Sequence, residues 1–114
     1  MALTRLKSEL RVQAWLRRAA GLGLMATVAR KGEPESGSVL LKINRHALGC
    51  DVYSPVADPA GAPAWMSAFP KGPAKEPEAD AYLRRQATYD TDVWVLEIED
   101  PKGLFAFDEP ILKG

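Results

Sequence analysis

The sequence is poor in the residue types that most often carry chemistry. Cys50 is the single cysteine among 114 residues, which removes an intramolecular disulfide and any zinc site built from several thiolates. His46 is the single histidine, placed in a turn with no nucleophile near it in sequence. A general base needs such a partner within hydrogen-bond reach, so a solvent-facing role is the simpler reading. No apolar run approaches the roughly 18 residues of a membrane span. Arg5, Lys7, Glu9 and Arg11 interrupt the first eleven residues, where a secretory segment would need an unbroken apolar stretch. A cytoplasmic protein without membrane association is therefore expected. Neither a phosphate-cradling nor a dinucleotide-binding glycine pattern occurs. Net charge is also lacking: 15 Lys and Arg balance 15 Asp and Glu, which weighs against a general nucleic-acid binder.

The charge that is present is segregated. Residues 1–50 hold nine Lys/Arg against three Asp/Glu, and residues 51–114 hold six against twelve, so the halves carry +6 and −6. Such a division marks either internal pairing or an electrostatically directed surface. With 46% hydrophobic and 26% charged residues the composition is that of a folded protein, and the length suits one domain over 1–114 with one core.

Thr4 as an N-cap and Gly21 with Gly23 as stop signals predict a first helix over Arg5–Ala20. Leu3, Leu6, Leu10 and Ala14 form one apolar strip, and Val12, Trp15, Leu16 and Ala19 form another. Lys7, Arg11 and Arg18 share one helical line between them. Leu24–Arg30 and Ser38–Asn44, separated by a polar Gly/Pro segment, read as a hairpin, and a turn at Arg45–Gly49 leads to a short strand over Cys50–Ser54. These three strands predict an antiparallel meander.

Pro55, Pro59, Pro63, Pro70, Pro73 and Pro77 punctuate the next segment, and regular structure is not expected through that spacing. Trp65, Met66 and Phe69 supply apolar bulk inside it, either pinning a short helical turn to the body or forming an exposed contact patch. Glu76–Tyr89 reads as the second helix, with Pro77 in its first turn, an Asp80–Arg84 pair, and Ala79, Tyr82, Leu83 and Ala87 inward. Val93–Glu99 is the last clear strand, with Trp94, Leu96 and Ile98 inward and Glu97 and Glu99 toward water. Leu104–Phe107 is a candidate edge strand, and the residues from Asp108 onward read as a tail. The expected fold is α+β: an antiparallel sheet of four or five strands with two helices on one face, in the order helix, three strands, loop, helix, strand.

Three segments carry a family resemblance: Val12-Gln13-Ala14-Trp15-Leu16-Arg17-Arg18, Ala79-Asp80-Ala81-Tyr82-Leu83-Arg84-Arg85-Gln86, and Asp92-Val93-Trp94-Val95-Leu96-Glu97-Ile98-Glu99-Asp100. With Leu6-Lys7-Ser8-Glu9-Leu10 opening the first helix, the chain resembles a family of short bacterial proteins, mainly alphaproteobacterial, that form a domain of unknown function. The resemblance implies a stand-alone cytoplasmic domain and assigns no activity, cofactor or catalytic residue.

The element order also resembles the core of restriction-endonuclease-like nucleases. That chemistry needs strand-borne acids for Mg²⁺ and a lysine near the attacking water. Lys42 has no acid before it on its strand, Asp51 has no lysine two positions on, and the first helix offers only Glu9. Glu97, Glu99 and Asp100 cluster without a second group to complete a metal site, and outward strand charge explains them more simply. Cys50 starts a strand on its apolar side and reads as a small buried hydrophobe. No catalytic residue, metal or cofactor is assigned.

The remaining candidates are contacts. Lys7, Arg11 and Arg18, joined by Arg17, Lys42 and Arg45, can hold the acidic half of the same chain, an acidic protein surface or phosphate groups. Trp65 and Phe69 are the apolar candidates. The sequence points to a non-enzymatic binding or adaptor module with a protein partner or a second copy. A degenerate or active nuclease, or a protein binding nucleic-acid phosphate, is the alternative.

Overall fold

The computed structural model describes residues 7–112. Its elements are α1 (Ser8–Gly21), β1 (Met25–Arg30), β2 (Val39–Asn44), a 3₁₀ turn (His46–Leu48), β3 (Cys50–Ala57), β4 (Pro63–Ser67), α2 (Glu76–Tyr89), β5 (Trp94–Glu99) and β6 (Ile111–Leu112). The strands form one mixed sheet of six in the order β1-β5-β2-β3-β4-β6. Among the described residues no helix is long and apolar enough to cross a membrane.

Two helices and a sheet agree with the α+β expectation, but the sheet is not the predicted antiparallel meander of four or five strands. β5 inserts between β1 and β2, antiparallel to the first and parallel to the second. The expected hairpin of the first two strands is therefore absent. Residues 31–38 instead pass across the start of β5, and Gly32 and Gly37 make that passage possible. A Cβ at either glycine would collide with the carbonyl oxygen of Asp92, and at Gly32 with the Trp94 ring as well. Hydrogen bonds fasten the crossing: Glu33 N–H donates to Asp92 O at 3.0 Å, Trp94 N–H to Ser38 O at 2.8 Å, and Trp94 Nε1–H to Glu33 O at 2.8 Å. The Glu33 carboxylate accepts from the Ser36 and Glu35 amides and the Ser36 hydroxyl, which lowers its pKa.

The same segment caps α1. Ser8 N–H donates to Glu35 O and Glu9 N–H to Pro34 O, while Ser8 Oγ–H donates to Gly37 O, so backbone carbonyls satisfy the free amides of the first turn. The predicted cap Thr4 lies outside the described residues, as do Leu3 and Leu6. At the other end Gly23, at φ 74°, donates to Ala20 O and Leu24 to Ala19 O, the paired bonds of a Schellman stop.

The helices lie on opposite faces of the sheet, not on one. Val12, Trp15 and Ala19 of α1 pack on Val39, Leu41, Ile43, Trp94, Leu96 and Ile98. Ala79 and Leu83 of α2 pack on Leu40, Val52, Val93 and Val95 on the other side. A strand covered on both faces loses its polar alternation, and β2, Val-Leu-Leu-Lys-Ile-Asn, is buried through its first five residues.

The proline-rich segment is also more regular than its spacing suggests, because β3 runs on through Pro55 and β4 begins at Pro63. Trp65, opposite Pro55, directs its N–H away to Pro110 O, so Pro55 faces away from β4 in turn. On that side the described β2 pairing has already ended at Tyr53, and the missing proline donor is not needed there. Pro63 occupies the tolerated first strand position. The outer strand beyond β4 is Ile111–Leu112 rather than residues 104–107.

Gly32→Ala and Gly37→Ala are expected each to destabilise the fold by about 1–3 kcal/mol, the usual cost of forced overpacking. Gly21→Ala, with open space around it, is expected to be neutral or to stabilise by up to about 1 kcal/mol. Urea denaturation of the three variants distinguishes glycine required for close approach from glycine that merely ends a helix.

Candidate functional site

Burial on both faces forces a partner on Lys42, the one charged side chain of β2. α2 supplies Glu76 and Asp80 one helical turn apart, and the neighbouring β5 supplies Glu97. The ammonium lies 2.8 Å from Glu76 Oε2, 2.8 Å from Asp80 Oδ1 and 3.3 Å from Glu97 Oε1, with its side chain 4% exposed. Asn44 Nδ2 donates to Glu76 and Glu97. Burial alone would lower the lysine pKa, but the three carboxylates outweigh it and the value rises. The predicted Asp80–Arg84 pair gives way to this contact. Acids do converge with Lys42, but its own ammonium occupies the point of convergence, hydrogen-bonded to Glu76 and Asp80 and ion-paired with Glu97. Asp51 lies on the opposite face of the sheet, beside Tyr53, so it cannot act with Lys42 on one phosphate. Burial raises the pKa of Asp51, against a smaller opposing effect of Arg45.

The basic line of α1 is taken up largely within the chain. Arg18 pairs with Asp108 at 2.8 Å, donates to Ala106 O and lies over the Phe105 ring. Arg11 lies over Trp15, 5.1 Å from its centroid; burial lowers its pKa, partly offset by Glu109. Lys7 meets Glu35 at 3.4 Å in an exposed pair. Trp65 is 1% exposed, with its Nε1–H on Glu109 and its ring edge-on to Trp15. The expected tail is thus an arm strapped over the α1 face of the sheet. Phe69 lies on the other face against Tyr82, so Trp65 and Phe69 do not form one patch.

The acids closing β5 diverge. Glu97 turns to Lys42, Glu99 to His46 Nε2 at 3.2 Å, and buried Asp100 accepts the amides of Leu104 and Phe105. His46 has a left-handed φ of 55°, a conformation in which histidine is enriched. Cys50 is buried under α2, and desolvation raises its thiol pKa.

What lies open is a surface that no sequence pattern marked. At the end of the sheet where β5 finishes and β1 begins, Leu22, Leu24, Met25 and Leu104 line a shallow groove of about 360 Å³ together with His46, Glu99 and Lys102. Met25 is 72% exposed and Leu48, at the end of the adjoining 3₁₀ turn, 62%. These side chains come from three separate segments, 22–25, 46–48 and 99–104, none with a period that reveals them. Contiguous exposed apolar surface of this kind is a feature of contact sites.

Lys42→Met is expected to cost about 3 kcal/mol, the low end for breaking a buried ion pair because Glu76 and Asp80 stay half exposed. Urea denaturation of the variant beside wild type at neutral pH measures that loss. The wild-type contribution of Lys42, whose folded pKa is raised, is present in full below the unfolded value of about 10.4 and lost as pH rises past it. Arg18→Ala is expected to cost about 1 kcal/mol and to speed proteolysis within residues 104–109, read by mass spectrometry of the first fragments.

Comparison with known proteins accords with this geometry. Three solved structures share the fold: a crystal structure of a DUF1491 family protein from Caulobacter crescentus CB15 (38% identity, TM-score 0.84, 94% of this chain and 99% of that one); an NMR structure of a DUF1491 family protein from the same organism (38%, 0.79, 94% and 96%); and the solution structure of protein Atu0922 from A. tumefaciens (27%, 0.72, 84% and 86%). No curated protein matches. The model of the family described as "Protein of unknown function (DUF1491)" matches residues 6–108, and the chain belongs to that family, a bacterial domain of unknown function as its motifs suggested.

Proposed function

We propose that this chain is a non-enzymatic binding or adaptor module of the cytoplasm, and that its contact surface is the apolar end formed by Leu22, Met25, Leu48 and Leu104. One observation carries this reading: Lys42, Arg18, Asp100 and Trp65 spend their polar groups inside the chain, while large apolar side chains are left in water at that end. A protein partner with an apolar contact residue fits such a groove, and Lys102 and Glu99 at its rim supply polar orientation. Arg11, Arg18 and Trp65 then serve the fold by holding the carboxy-terminal arm, and Lys7 by pairing with Glu35 of the crossing segment.

The test is capture by Leu48→Glu and Leu104→Glu baits beside wild type and a Lys71→Glu control, each shown folded by near-UV circular dichroism. A partner bound by wild type and control but weakened about tenfold or more by both patch variants supports the reading. Equal capture by all four rules this surface out. Mg²⁺-dependent or Mn²⁺-dependent cleavage of DNA or RNA that is lost in Asp51→Asn would replace the reading with the nuclease alternative.

A further inference from the structure

The apolar end runs into β1, the edge strand of the sheet, and the geometry points to a second copy of this chain as the occupant of that edge. We propose that two copies pair antiparallel along Met25–Arg30, about a two-fold axis perpendicular to the sheet, to give one continuous sheet of twelve strands. The proposal builds on the reading of this end as a contact surface and names one of its partners.

The edge is open and lacks most protection. Met25–Arg30 bonds to β5 on its inner side, and no other backbone hydrogen bond among the described residues reaches it. Edge strands are ordinarily blunted by lysine, proline, inward charge or short length. Met25-Ala26-Thr27-Val28-Ala29 carries no charge and no proline, and Met25, Thr27, Val28 and Ala29 are exposed. The opposite edge, β6, is two residues long and follows Pro110.

Face and charge together point to a register centred on Thr27. A two-fold axis perpendicular to the sheet keeps each face continuous, so residues on the same face must oppose one another. Ala26 and Val28 lie on the α1 face, opposite Ile98 and Leu96, while Met25 and Thr27 lie on the α2 face, opposite Glu99 and Glu97. With Thr27 on the axis, Thr27 meets Thr27 of the second copy and Val28 meets its Ala26. The irregularity between Val28 and Arg30 lets Ala29 bulge and brings Arg30 opposite Met25 of the second copy. Met25 is flanked on its inner side by Glu99, so Arg30 of one copy reaches across Met25 toward Glu99 of the other, twice by symmetry. Arg30 has donors to spare, since one described hydrogen bond, to Thr91 O, engages its guanidinium and its Nε is buried without a partner. Sliding by one residue opposes unlike faces, and centring on Ala26 carries Arg30 past the strand end.

Sedimentation equilibrium of the full chain tests the proposal. The expected mass is twice 12.4 kDa, falling to the single-chain mass in Thr27→Lys, where like charges meet on the axis. Thr27→Cys is expected to give a disulfide-linked dimer under mild oxidation, which wild type, with Cys50 buried, does not. Arg30→Glu is expected to weaken the dimer about tenfold or more, and adding Glu99→Arg to restore it, with folding of each variant checked by circular dichroism. A chain that stays monomeric across the accessible concentrations, including one that takes an extended peptide along this edge, overturns the proposal. So does a dimer insensitive to Thr27→Lys. A monomer whose partner capture still fails in Leu48→Glu and Leu104→Glu sinks the dimer alone and leaves the contact surface standing, so the two readings fail separately.

Discussion

Both cores of this protein are built on β2, and that double burial is the constraint from which most other features follow. Val39, Leu41 and Ile43 face α1, while Leu40 and Lys42 face the α2 side. A strand in that position needs neighbours on both edges, which β5 and β3 provide. It also cannot leave a charge unpaired, because a buried ammonium without partners costs several kcal/mol. Glu76, Asp80 and Glu97 answer that need, and in doing so they fix where α2 sits over the sheet and tie β5 to β2 through side chains as well as through the ladder.

The insertion of β5 has a second consequence. Residues 31–38 must cross its start, which explains two glycines outside the left-handed region, required for close approach, and a tryptophan whose indole holds the loop in place. The same loop caps α1, so the helix on one face and the strand between its neighbours are fastened by a single segment. On the far side the arm from Leu104 to Asp108 closes the α1 core through Phe105 and Phe107, oriented by Asp100 and clamped by Arg18. The +6 and −6 halves of the sequence find their reason here. The pairs Arg18–Asp108, Lys42–Glu76, Lys42–Asp80 and Lys42–Glu97 all join the first half to the second.

The proposed contact surface rests on a contrast. Lys42, Arg18, Asp100 and Trp65 spend their polar groups inside the chain, while Leu22, Met25 and Leu104 stay in water beside an open strand edge.

The sequence by itself determined the elements: capping residues, glycine stops and apolar periods are local, and they placed α2 over Glu76–Tyr89 and the strands around Val28, Leu41, Val52 and Leu96. It also carried the family, through three motifs, and the segregation of charge, which left internal pairing and a directed surface as alternatives for the structure to separate. Only the tertiary structure decided that β5 parts β1 from β2, that the helices take opposite faces, that a proline-rich stretch is half a hairpin, and that Leu22, Met25 and Leu104 line one groove. Strand order and surface patches depend on contacts between residues far apart in the chain, and a period of two or 3.6 says which face of an element is buried without saying against what.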